Sequence, residues 1–210
     1  MTQPFAFFEC TSLLRPTGRQ AQDLMQLLSL IREVEVGVIY HHTHQYYLKA
    51  AVEVPDYPND FATWASESLE ERALAEKLVS VDLFSYGSIE EIRRALIDTI
   101  QLYLQDNPVP RPARAGDAFF FNDSMTIVID AGVIVEDLPA FAGALETVGS
   151  SSIYFHFFEA RRRLGRSADD FSLWLEQGAG RADLARRIRR IDPYQYSLEG
   201  LRRELLAVVR

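Results

Sequence analysis

Residues 119–129 read FFFNDSMTIVI, and residues 5–14 read FAFFECTSLL. Both alternate aromatic or β-branched side chains with polar or small ones, the period-two pattern of a strand. They stand 114 residues apart, and the same offset carries Gly18 onto Gly132, Asp23-Leu24 onto Asp137-Leu138, Ile39-Tyr40 onto Ile153-Tyr154 and His42 onto His156. Near residues 50–59 the first stretch holds four extra residues. Beyond them, an offset of 110 carries Asp60-Phe61 onto Asp170-Phe171, Trp64 onto Trp174 and Leu74-Ala75 onto Leu184-Ala185. A last shift to 109 brings Arg93-Arg94 onto Arg202-Arg203. So many matches in one order, with two small changes of offset, read as a tandem duplication. Searching for such a period comes before any other fold argument.

The expected organisation follows. Residues 1–106 form a first unit and 118–210 a second, joined by a Pro-rich linker over 107–117, and the two pack as separate domains or as one. Prolines there disfavour helix. Each unit is expected to be a β-hairpin, turned at Gly18 or Gly132, followed by about five helices. Helix starts are marked by Asp23 and Asp137 as N-caps, by Asn59-Asp60 and Asp169-Asp170, and by Ser88 and Ser197. Ser88 with Glu91 fits a capping box. The fold class is therefore helix-dominated α+β, pseudo-two-fold related. Because a lone hairpin is marginal in water, the two hairpins are expected to combine into one four-stranded sheet.

Composition narrows the function classes. The 210 residues are 48% hydrophobic and 25% charged, an ordinary globular balance. No run of about 18 apolar residues is present, so no membrane span is expected, and no signal peptide is visible. A single cysteine, Cys10, fits a reducing, cytoplasmic setting. The net charge of −8 makes nucleic acid an unlikely partner. That charge lies in residues 1–106, with 8 basic and 16 acidic groups, whereas residues 107–210 hold 14 of each.

Several clusters bear on chemistry. In IYHHTHQYY, residues 39–47, His41 and His44 are helical neighbours and form the metal candidate, without a third ligand in register. Tyr40, His44 and Tyr47 are the candidates for ligand binding there. His42 and His156 occupy apolar stripes and call for buried partners, either Asp60 and Asp170 or Asp82 and Asp192. Geometry at 100° per residue places His41 and His44 away from that stripe, toward solvent. His42, His44 and Asp60 are the candidates for catalysis, although a lone His–Asp pair without a nucleophile is no triad. Trp64 and Trp174 read either as an aromatic ligand platform or as buried core. Arg161 and Arg162 lead an Arg-rich run, with nine Arg against four acids over 161–190. It suits a small anion, a sugar phosphate or an acidic partner surface. No Walker or dinucleotide-binding fingerprint accompanies it, and no cofactor is expected.

The motifs IYHHTH, NDFATW, SIYFHFFEARRR, DDFSLW and RRIDPYQYSLEGLRREL resemble a bacterial and archaeal family of uncharacterised, internally duplicated proteins. The resemblance covers nearly the whole chain. It implies a link to carbohydrate metabolism, because members are often encoded near glycosyltransferase or trehalose-metabolism genes. The family's first motif is often IYYHTH; His41 departs from it, and His42 and His44 match it. The resemblance brings no catalytic residue with it. The resulting expectation is a cytoplasmic binding, regulatory or accessory protein with a protein partner or self-association. The alternatives are an enzyme using His42 or His44 with an Arg anion clamp, and nucleic-acid binding through 161–190.

Overall fold

The computed structural model describes residues 3–49, 56–164 and 168–210. The four extra residues expected near 50–59 lie partly outside them. The architecture is α+β with helix predominating, and its sheet has two antiparallel strands, β1 (Phe5–Ala21) and β2 (Phe119–Val135). Cross-strand contacts fix the direction: Thr17 Oγ1 donates to the Phe121 carbonyl, and Arg15 pairs with Asp123.

The expected hairpins and four-stranded sheet are not what forms. Gly18 and Gly132 do adopt the left-handed region, at φ +75° and +68°, where a side chain is strained. The chain bends there without reversing, and each strand runs on past its glycine. Asp130 Oδ1 accepts the Gly132 N–H at 2.8 Å, closing a local turn inside β2. Each strand therefore finds its partner in the other strand rather than in its own continuation.

Two compact units result, and each takes half of each strand. One comprises Leu13–Tyr46 and Pro55–Met125, called here the N-terminal unit. It holds α1 (Leu24–Glu33), α2 (Val36–Thr43), α4 (Asp60–Glu67), α5 (Arg72–Val79) and α6 (Ile89–Asp106). A short α3 (Tyr46–Lys49) leads out of it. The other unit comprises Met1–Ser12, Tyr47–Val54 and Thr126–Arg210, called the C-terminal unit. Its helices are α7 (Leu138–Thr147), α8 (Ser150–Tyr154), a π-helical turn over Phe155–Glu159, α9 (Ala160–Leu164), α10 (Asp170–Gln177), α11 (Ala182–Arg189) and α12 (Leu198–Val209).

Local chemistry explains the helix boundaries. Asp23 Oδ1 accepts from Gln26 N and Asp137 Oδ1 from Ala140 N, each at 2.8 Å, satisfying N–H groups that have no partner inside the helix. Ser88 Oγ accepts from Glu91 N, while the Glu91 carboxylate turns back to Gly87 N. The ends of α1 and α7 are held by buried arginines. Arg93 donates to the carbonyls of Ile31 and Val34, and Arg202 to that of Leu145.

Aromatic rings make each unit's centre. In the C-terminal unit Phe5, Phe7 and Phe171 meet His156, and Phe141 and Trp174 pack against those phenylalanines. In the N-terminal unit Phe61, Phe119 and Phe121 meet His42, and Trp64 packs on Phe119. Both tryptophans are buried at 6% exposure. Trp64 Nε1 donates to the Asp117 carbonyl and Trp174 Nε1 to that of Gln3, each at 2.6 Å. These bonds make the pair core anchors rather than an exposed stacking platform.

One cap differs between the units in a way that carries charge. Asn59 and Asp169 are both fully buried, and each caps its helix with Oδ1 at 2.8 Å. Asn59 Nδ2 also donates to the Leu78 carbonyl, whereas Asp169 Oδ2 has no hydrogen-bond partner. Burial raises the Asp169 pKa above its ordinary 3.8, against the pull of the Ser172 N–H and of Arg161. A raised native pKa means that the folded state holds the proton more tightly than the unfolded chain. Its contribution is fully present below the ordinary value and is lost as pH rises through the elevated one. Asp169→Asn, which copies the Asn59 arrangement, should stabilise the protein by about 1–2 kcal/mol at neutral pH. It should also flatten the fall in stability between acid and neutral pH, read by urea unfolding. Destabilisation at neutral pH would contradict this.

Candidate functional site

The shared His–Asp pairs are the best-defined polar constellations. His42 lies on α2 with its ring 3% exposed, and Nδ1 meets Asp60 Oδ2 at 2.7 Å. Its Nε2 accepts the Asn122 backbone N–H at 3.0 Å. His156 lies in the π-helical turn, equally buried, with Nδ1 at 2.8 Å from Asp170 Oδ2 and Nε2 accepting the Phe8 N–H at 2.8 Å. Phe8 and Asn122 are themselves 114 residues apart. Because a backbone N–H can only donate, Nε2 must be the unprotonated nitrogen. The proton then sits on Nδ1 and is donated to the carboxylate. Each imidazole thus clamps a strand to the first residue of a helix, Asp60 on α4 or Asp170 on α10.

Asp82 and Asp192, the other partners considered, serve turns instead. Asp82 Oδ1 accepts Phe84 N, and Asp192 Oδ1 accepts Tyr194 N. Burial lowers the His156 pKa below 6.5, outweighing the Asp170 hydrogen bond and charge. The unfolded chain therefore takes a proton near pH 6.5 that the native ring refuses, and this contribution to stability is lost as pH falls below that value.

His41 and His44 correct the expectation of solvent exposure: they are 4% and 5% exposed. The reason is that α2 is covered on every side, from Val38 through Thr43, so no face points to water. His41 Nδ1 lies 3.1 Å from Gln45 Oε1, and its ring meets His42 edge-on. Thr43 Oγ1 gives its one proton to the Ile39 carbonyl at 2.7 Å, so His44 Nδ1, 2.9 Å away, donates to Thr43. The His44 ring stacks on Tyr40 and meets Phe84 edge-on. Tyr40 and His44 are thus together, whereas Tyr47 belongs to the other unit and stacks on Phe158.

One metal-compatible group occurs among the described residues: His41, His42 and Asp60, with ligand atoms within 4.8 Å of one another. It is not the His41–His44 pair suggested by the spacing. His42 already uses both ring nitrogens, so holding an ion there requires breaking its bond to Asn122 N or to Asp60.

The arginines do not form one clamp. The Arg161 guanidinium lies over the Phe157 ring, and that of Arg163 lies over Phe155 while pairing with Asp170 at 2.6 Å. Arg181 pairs with Asp183, Arg189 with Glu176, and Arg187 donates to the last carbonyls of α12. The side chains of Arg162 and Arg166 lie outside the described residues. His42, His44 and Asp60 belong to the N-terminal unit and Arg161 to the C-terminal one. Cys10 is also in the C-terminal unit, buried, with its thiol pushed up to about 12 by burial and by Glu159 and Glu9. Such a thiol is an inert core group.

A cavity of about 420 Å³ opens in the C-terminal unit beside His156. Phe5, Phe8, Phe155 and Trp174 supply its apolar wall, and Arg163, Asp170 and Gln177 its polar groups. The sequence pointed to one wall of it, Trp174 as a possible ligand platform, but not to the cavity itself. Arg163 was visible only as one member of an Arg run.

The full-length match is to the model of the "Family of unknown function (DUF5752)", over residues 2–210. The chain belongs to that family. Among solved structures the fold is similar to OrfY from Thermoproteus tenax, with 33% identity and a TM-score of 0.83. That similarity covers 99% of this chain and 94% of OrfY. None of the curated proteins matches the sequence. No helix among the described residues is long and apolar enough to cross a membrane.

If the imidazoles are clamps, removing one strands a buried N–H. His156→Ala should cost on the order of 3 kcal/mol, from the orphaned Phe8 donor and the cavity left among the rings. Urea denaturation measures it, and a loss within about 0.5 kcal/mol, the range of an ordinary surface change, would contradict the assignment.

Proposed function

We propose that this is a non-catalytic binding or accessory protein of the cytoplasm, built by tandem duplication about a pseudo-two-fold axis, with a small-molecule cleft in its C-terminal unit. One observation carries the non-catalytic part. Both imidazoles best placed to act as bases have their two nitrogens committed, one to a strand and one to a carboxylate. A general base needs a lone pair aimed at substrate. The duplication is supported by bonds that recur at the sequence offsets. Asn122 N to His42 matches Phe8 N to His156, and Trp64 to Asp117 matches Trp174 to Gln3.

The cleft beside His156 joins aromatic walls to a few convergent polar groups, the usual make-up of a small-ligand site. Aromatic edges with Arg163, Asp170 and Gln177 suit a sugar or sugar phosphate, in keeping with a role linked to carbohydrate metabolism. Nucleic-acid binding through 161–190 is disfavoured, because Arg181, Arg187 and Arg189 are engaged by carboxylates or helix ends.

Thermal unfolding against sugars, sugar phosphates, nucleotides and zinc tests this reading. A ligand at about 100 times its Kd adds about 2.7 kcal/mol to stability. A sugar or sugar phosphate should raise Tm, and Arg163→Ala should abolish that rise. Turnover of any of these compounds that is lost in a folded His42→Gln variant would contradict the non-catalytic reading.

A further inference from the structure

Strand β2 is unlike β1 along the half that lies in the C-terminal unit. Residues 126–135 read TIVIDAGVIV, with one charge, Asp130, and no Lys, Arg or Pro. Ile127 is 38% exposed, Val128 49%, Ile129 51% and Ile134 68%. The corresponding half of β1, 114 residues earlier, reads SLLRPTGRQA. Leu13 and Leu14 match Ile127 and Val128, but Arg15, Arg19 and Gln20 stand where β2 has Ile129, Val133 and Ile134. The chain therefore contains its own control: the same place in the architecture is polar in one strand and apolar in the other.

In a two-stranded sheet each strand has a neighbour on one side only. Natural proteins guard such edges with charge and proline, because unpaired N–H and C=O groups template further pairing. β1 is guarded, since Arg15, Pro16 and Arg19 lie on it and Pro16 lacks a donor N–H. β2 has a single charge, Asp130, and no proline over 126–135, and its β-branched residues favour pairing.

We propose that the 126–130 edge of β2 pairs antiparallel with the same edge of a second copy, giving a symmetric dimer with a four-stranded sheet in the order β1-β2-β2-β1. A second copy fits because an antiparallel edge is complementary to itself about a two-fold axis. Centred on Val128, the register sets Ile127 opposite Ile129 of the second copy, and Thr126 opposite its Asp130. The two Asp130 carboxylates are then kept apart, and each faces a hydroxyl rather than a like charge.

Sedimentation velocity of the full chain from micromolar to submillimolar concentration tests the proposal. The wild type should reach twice the 23.9 kDa chain mass. The double variant Ile129→Arg/Ile134→Gln should remain monomeric. Both residues occur at the corresponding β1 positions, so the fold is expected to survive, and circular dichroism checks that it does. Hydrogen exchange gives a second readout: the amides of 126–130 that point away from β1, that of Val128 among them, should exchange more slowly in the wild type than in the double variant, whereas the alternate ones already face β1. A wild type that stays monomeric throughout overturns the proposal. So does a dimer that the double variant leaves intact, or equal exchange of these amides in both proteins.

Discussion

An imidazole held between a strand N–H and a carboxylate decides how this chain closes. His156 takes the Phe8 N–H on Nε2 and gives its Nδ1 proton to Asp170; His42 does the same with Asn122 and Asp60. Each ring sits among phenylalanines and a tryptophan, where an unpaired strand N–H would be costly. The bond also settles membership. Phe8 comes from the start of the chain, yet its donor is satisfied only in the unit built from the end of it. Asn122, near the start of β2, is satisfied in the other. The division of both strands between the two units follows from where these donors find acceptors.

The rest of each unit supports that clamp. Asp60 and Asp170 begin α4 and α10, and the residues just before them, Asn59 and Asp169, cap those helices, so the carboxylates are set by backbone geometry. Phe61 and Phe171, one residue on, pack against the rings they serve. Trp64 and Trp174 then tie the same helices to the residues leading into the strands. Arg93 and Arg202 hold the ends of α1 and α7 from the last helix of each unit.

Much of this was legible in the sequence because the sequence can be compared with itself. Helix starts at Asp23, Asp137, Asn59 and Ser88 follow from short side chains that accept local N–H bonds. Histidines on an apolar stripe, with an aspartate at a matching offset, pointed to the pairs. Other features are set by tertiary context. Gly18 marks a left-handed residue, but no local signal tells a bend within a strand from a reversal. His41 and His44 looked solvent-facing because helical phase measures direction, not cover, and α2 is covered all round. Arg93 and Arg202 stand at matched positions, yet the carbonyls they bind lie some 60 residues earlier.

The most direct test of the clamp is the protonation of the two rings, read by long-range proton–nitrogen NMR correlation on the histidines. Both His42 and His156 should carry a proton on Nδ1 and an unprotonated, hydrogen-bonded Nε2. His156 should stay neutral as pH falls through 6.5. A proton on Nε2 of either ring, or titration of His156 at or above 6.5, would contradict the clamp.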